Sequence, residues 1–172
     1  TSRTISGYNK ITYAVNNSGT GLMQIDLQEP MILDSAIIKN KKLSFNRSGN
    51  IYLINTPFYA IRKQPIDTIT LYFHGKPHRA TLPPWDGGWI WTKDYKERPW
   101  ASVACQGLGA SVWYPCKDHQ SDEPDNGASL TITVPDTLVA IANGRLISQS
   151  KSNGLSTFTW EVKNPINNYD IA

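Results

Sequence analysis

Leu130-Thr131-Ile132-Thr133-Val134 sets an apolar branched side chain at every second position and a threonine between. Successive side chains of a strand point to opposite faces, so this period places one face on a core and the other toward water. Working outward, the same period recurs at Ile11, Tyr13 and Val15, at Met23, Ile25 and Leu27, and at Ile69, Leu71 and Phe73. It returns at Phe158, Trp160 and Val162. These runs are rich in Ile, Thr, Tyr and Trp, which suit a pleated, half-buried surface. Turn signals separate them: Asn16-Asn17-Ser18-Gly19, Ser48-Gly49-Asn50, Gly75-Lys76-Pro77, Asn143-Gly144 and Ser152-Asn153-Gly154. The sharpest hairpin expectation is Asn143-Gly144 between segments 138–142 and 145–150, because both residues tolerate positive φ.

No window of 11 or more residues carries a 3.6-residue period. A short turn at 57–62 is the nearest approach to a helix. The reading is all-β, with antiparallel sheets packed on one another in a multi-sheet sandwich. Residues 82–120, dense in Pro, Gly and Trp, are expected to be irregular, and function tends to sit on such loops. The 172 residues match one domain at roughly 150 residues per domain. A chain of that size buries about 70% of its unfolded surface and needs no metal or disulfide scaffold to fold.

Hydrophobic residues make up 40% and charged residues 18%, against an average charged fraction of about 25%. That composition excludes an intrinsically disordered chain. No apolar run reaches the length of a membrane-spanning helix, so no membrane span is expected. The net charge of +3 is too small to point to nucleic acid. It conceals an asymmetry: residues 1–100 hold 13 Lys/Arg against 7 Asp/Glu, and residues 101–172 hold 4 against 7. A mildly acidic second half suits a cationic ligand, and ordinary solvated loop charges explain it equally.

Cys105 and Cys116 form no disulfide framework and no zinc ribbon. They are two small buried thiols or a pair, depending on a Cα separation the sequence does not state. His74 and His78 have the spacing of a zinc-binding helix, yet Gly75 and Pro77 between them prevent one, which makes them surface turn histidines. No His-Glu dipeptide occurs, so the zinc-peptidase signature His-Glu-x-x-His is absent. Asp118, Asp122, Glu123 and Asp125 could gather a calcium ion or make Asx turns and caps. In Trp85-Asp86-Gly87-Gly88-Trp89-Ile90-Trp91, Trp89 and Trp91 share one face of a strand. They are core or interface anchors, or an aromatic platform for a sugar or peptide.

Ala104-Cys105-Gln106-Gly107-Leu108-Gly109-Ala110-Ser111, followed by Trp113-Tyr114-Pro115-Cys116-Lys117-Asp118, resembles the N-terminal domain of zinc aminopeptidases related to aminopeptidase N and leukotriene hydrolase. Pro84-Trp85-Asp86-Gly87-Gly88 and Asp122-Glu123-Pro124 are similar to bacterial members. So are Val134-Pro135, Leu138, Asn143-Gly144-Arg145-Leu146, Trp160 and Pro165-Ile166-Asn167-Asn168-Tyr169, with Ile5-Ser6-Gly7 near the start. The strong motifs lie in residues 84–172, and their order and spacing carry the resemblance.

The resemblance implies a saddle-shaped β domain that packs on a catalytic domain of the same polypeptide. It implies that zinc belongs to that catalytic domain, with no cofactor or metal in residues 1–172 and no catalytic residue among them. The chain is then expected to be a single-domain fragment whose parent removes N-terminal residues from peptides. Family members bind the substrate ammonium with a Gln or Glu in the loop matching Ala104-Cys105-Gln106, so the resemblance assigns that role to Gln106. A side-chain carbonyl can accept N–H bonds from a cation, and the charge strengthens them. The competing role is a loop glutamine bonded to backbone. A second family position, often Gln, is Ala104 here, whose side chain accepts nothing.

Cys105, Gly107 and Gly109 complete the site-shaping loop, the glycines through positive φ or close backbone approach. Trp89, Trp91, Trp100 and Trp113 are expected to brace the sheets or meet the catalytic domain, and apolar surface should be exposed around residues 105–117. The alternative is a noncatalytic carbohydrate- or peptide-binding β-sandwich reading its ligand with Trp85–Trp91. The chain begins at Thr1 with no Met and no leader, so whatever preceded it is expected to have been removed. A periplasmic or secreted location is the expectation over a cytoplasmic one.

Overall fold

A computed structural model describes residues 3–15, 21–56 and 66–172. The turn expected at Asn16–Gly19 and the one at 57–62 lie outside the described residues. Among those described there are twelve strands, two single-turn 3-10 helices and no α-helix. The all-β reading is therefore what the chain adopts.

The strands form four antiparallel sheets. The largest is built from β1 (Ile5–Ala14), β3 (Ile32–Ile38), β4 (Lys41–Leu43) and β7 (Ile66–Gly75), in the order β1-β7-β3-β4. A second holds β2 (Leu22–Asp26), β5 (Phe45–Ser48) and β6 (Ile51–Asn55), in the order β2-β6-β5. β8 (Gly88–Lys93) and β9 (Pro99–Ala104) make a two-stranded ribbon. The last sheet contains β10 (Ala128–Pro135), β11 (Arg145–Ser152) and β12 (Leu155–Val162), with β12 central.

The alternation becomes burial. On β7, Ile69, Leu71 and Phe73 face inward while Tyr72 and His74 face solvent. Their inner face joins Leu33, Ala36 and Ile38 of β3 and Ile25, Tyr52 and Ile54 of the second sheet in one core. Leu27, Met31, Ala110, Tyr114, Cys116 and Ile171 close that core. Residues far apart in sequence thus support one apolar layer, whose removal from water contributes about 25 cal/mol per Å². On β10 the apolar set Leu130, Ile132 and Val134 is half-buried. The opposite face carries a threonine ladder, Thr131 with Thr159 at 3.1 Å and Thr133 with Thr157 at 2.9 Å. Such cross-strand pairs stabilise a solvent-facing sheet surface.

Three expectations need correction. Asn143-Gly144 is not a β-hairpin turn, because 138–142 is not a strand. Gly144 has φ +93°, and a Cβ there would lie 2.0 Å from the Glu161 carbonyl oxygen, so the glycine serves close approach to β12. Asn143 Oδ1 accepts from the Ala172 amide at 2.8 Å. The hairpin that joins β11 to β12 turns instead at Asn153-Gly154, with φ +51° and +74°, the two positive values a tight two-residue turn requires.

Segment 82–120 is less irregular than expected, since it contains the β8–β9 ribbon. Its tryptophans supply the strand-forming pattern amid the Pro and Gly. His74 sits on β7, not in a turn, with Nδ1 at 2.7 Å from Asp34 Oδ1, while His78 is exposed just beyond that strand.

Candidate substrate-amine site

β9 ends at Ala104, and the chain then reverses through Cys105–Gly109. The amides of Leu108 and Gly109 both donate to the Cys105 carbonyl, at 3.1 and 2.8 Å. Gly107 has φ +71°, which an L side chain adopts at a cost. Gln106 is therefore carried at the exposed tip of a short turn.

Below the tip, Gly109 leads into the 3-10 turn Ala110–Val112 with φ +88°. The carboxylate of Asp118 accepts from the amides of Ala110 and Ser111 at 3.2 and 3.0 Å. A Cβ on Gly109 would sit 2.3 Å from Asp118 Oδ2. Gly109 is thus glycine for both conformation and space. Of the acidic cluster 118–125, Asp118 caps this turn, as the capping alternative expects, while Asp122 forms an ion pair with Lys117 at 2.8 Å.

The turn is stitched to the core sheets. Asp26 and Cys116 exchange backbone bonds at 2.8 and 3.1 Å, and Asp26 Oδ2 accepts from the Asp118 amide at 2.9 Å. The Gln28 amide donates to the Ser111 carbonyl at 2.9 Å. From the other end of the chain, Asn168 Nδ2 donates to the Lys117 carbonyl at 3.0 Å, and Tyr114 Oη donates to the Asn168 carbonyl at 3.1 Å. Asn167 donates to the Gln120 carbonyl and caps the second 3-10 turn, Asn168–Asp170, by accepting from the Tyr169 amide at 2.8 Å. Tyr169 Oη then donates to Gln106 Oε1 at 2.8 Å. Sequence reasoning quoted Tyr169 within a motif and assigned it no role.

Two open depressions flank the Gln106 tip. One, of about 280 Å³, is lined by Gly107, Leu108, Gly109, Asp118, Gln120 and Tyr169. The other, of about 240 Å³, is lined by His78, Trp85, Asp86, Gly87, Gln106, Gly107 and Leu108. Gly107 and Leu108 belong to both, so the turn is the ridge between them. Asp86 lines the second depression with a carboxylate fixed by its own loop. Its carboxylate accepts from the Thr81 hydroxyl and amide at 2.6 Å each and from the Leu82 amide at 2.7 Å. Those bonds, the Thr81 hydroxyl first, hold its pKa below the usual 3.8. Within 105–117, Leu108 is the one exposed large apolar side chain, at 37%, and Trp85, 77% exposed, lines the same depression.

Ala104 ends β9 half-buried and contributes shape alone. Trp89 and Trp91 stack on each other with centroids 5.0 Å apart, and Trp113 meets Trp89 edge-on at 6.2 Å. They brace the ribbon against the 105–116 segment, and each spends one ring face on its neighbour. Trp100 is more than half exposed.

Cys105 and Cys116 are free and buried. Burial, helped by the nearby Asp118 and Asp170 carboxylates, pushes the Cys105 thiol up to about 11. Burial raises Cys116 further. Only a thiolate attacks a disulfide reagent. Neither thiol of the folded chain is therefore expected to react with an aromatic disulfide at pH 8, while both should react after denaturation; absorbance of the released thiolate checks this. Rapid reaction of the native protein would refute the burial.

Among the described residues, no group of three or more His, Cys, Asp or Glu side chains could hold a metal ion. These residues do not fit a zinc site. None of the described helices is long and apolar enough to cross a membrane, which says nothing of a β-barrel.

The fold is one shared with solved zinc metallopeptidases. The M1 zinc metallopeptidase of Deinococcus radiodurans superposes with a TM-score of 0.75 at 20% identity, over 96% of this chain and 36% of that one. A further structure of that enzyme, a mutant bound to a Tyr-Ser-Ala substrate, gives 0.74 at 20% identity over the same shares. Native yeast leukotriene A4 hydrolase gives 0.67 at 16% identity, over 98% of this chain and 25% of that one. The chain thus spans between a quarter and two fifths of the solved chains it matches. No protein-family model matches it, and no curated protein sequence does.

Proposed function

We propose that this chain is the N-terminal domain of a zinc-dependent aminopeptidase, a hydrolase that removes N-terminal residues from peptides. It packs on the catalytic domain of the same polypeptide and helps hold the substrate's amino terminus. The observation that carries this reading is Gln106, presented on a turn pinned by Asp118 and Asn168, within a fold shared with zinc metallopeptidases. One of those relatives was solved with a tripeptide bound. The metal and the bond-breaking chemistry belong to the catalytic domain. This domain's part is to fix a cation at a set distance from the bond to be cut, which lowers the entropy cost of reaching a reactive pose.

The 172-residue chain alone is expected to leave aminoacyl-nitroanilides intact, with or without added zinc. In the full-length polypeptide, Gln106→Ala should raise KM and lower kcat/KM. Loss of one charge-assisted hydrogen bond corresponds to about 1.5–3 kcal/mol. Steady-state kinetics on a dipeptide series measures it, and unchanged constants would remove Gln106 from the site.

A further inference from the structure

We infer that Tyr169 is the second hydrogen-bond acceptor for the substrate ammonium, so that Gln106 Oε1 and Tyr169 Oη form a two-oxygen clamp. This rests on the reading of Gln106 given above. An ammonium carries three N–H donors, and one glutamine oxygen satisfies few of them. The side chain of Ala104, at the end of β9, has no acceptor to add. Tyr169 has one. Its hydroxyl spends its only proton on Gln106 Oε1 at 2.8 Å. The lone pairs left on Oη are then available to an incoming donor.

Position agrees with chemistry. Tyr169 lines one depression and Gln106 the other, and the two meet along Gly107-Leu108. A nitrogen at about 2.9 Å from both oxygens, which lie 2.8 Å apart, would make N–H···O angles near 140°, bent yet still bonding. Asp118 lines the Tyr169 side and adds negative potential where a cation would rest. Tyr169 is also held in place: its own amide is capped by Asn167 Oδ1, and Asn168 is tied to Lys117. The clamp is preorganised, so binding spends little on ordering it.

The test uses the full-length polypeptide and two competitive inhibitors without an amide bond to cleave, leucinol and its desamino counterpart 4-methylpentan-1-ol. The readout is the ratio of their inhibition constants, which isolates the ammonium. Tyr169→Phe keeps the ring and removes the hydroxyl. It should reduce the preference for leucinol about tenfold or more and leave the desamino constant unchanged. A purely structural role would weaken both inhibitors alike, and that result overturns the clamp. If Gln106→Ala reduces the preference and Tyr169→Phe does not, the clamp falls and the role of Gln106 stands. If Gln106→Ala leaves the preference intact, the reading of Gln106 falls and the clamp with it.

Discussion

Asp118→Ala is expected to lower stability by about 2–4 kcal/mol, because two backbone N–H groups lose a charged acceptor together. The partners are Ala110 and Ser111, both buried, so water cannot fully replace the carboxylate. For a chain of this length the change corresponds to a fall in Tm of about 5–15 °C, read by thermal melts. Asp118→Asn keeps one oxygen and should lose about half as much. Gly109→Ala attacks the same unit from the other side, through a positive φ and a Cβ driven into the carboxylate. The two changes should therefore combine to less than their sum, since removing the carboxylate relieves the clash. A melt of Asp118→Ala within 1 °C of the parent would show that the 110–118 turn holds without its cap.

Leu71→Ala carries the other large effect, about 2–5 kcal/mol, as deletion of a fully buried leucine leaves a cavity. Leu71 is completely buried on the strand between β1 and β3. Its neighbour Tyr72 is 42% exposed and meets the Tyr8 ring with centroids 5.6 Å apart. Tyr72→Ala should cost about 1 kcal/mol or less, the scale of an exposed aromatic pair. Denaturant unfolding of the two variants measures the contrast, and equal losses would contradict the assigned faces of β7.

That contrast also explains what the residue pattern conveyed. β7, β10 and β12 each set three apolar residues in succession on one face, at 69, 71 and 73, at 130, 132 and 134, and at 158, 160 and 162, so their period of two survives in the sequence. β3 does not. Its pairing with β7 shifts between Leu33 and Ser35, so Asp34 is an extra residue that reverses the phase of the apolar set. β11 hides its nature differently: all eight residues are exposed, leaving no contrast between faces. The β3–β4 hairpin turns on Lys39-Asn40, φ +48° and +62°, without a glycine to announce it. Asn143-Gly144 announced a turn where the fold needed close packing.

The candidate site was legible only in part. Gln106 and the two glycines that follow it emerged from the resemblance of their loop. The Asp118 cap was one of two readings of an acidic cluster. Tyr169 carries no periodic or compositional mark, since its meaning lies in a bond to a residue 63 positions away.

The stitching of Asp26 to Asp118 spans 92 positions, and Tyr169 reaches back across 63. Closing loops of that length costs chain entropy before any contact repays it, and non-local pairings of this kind slow folding. The Gln106 turn therefore gains its final shape only once β2 and the segment at 165–171 have both docked. The shape of that turn is a report that segments far apart along the chain have come home.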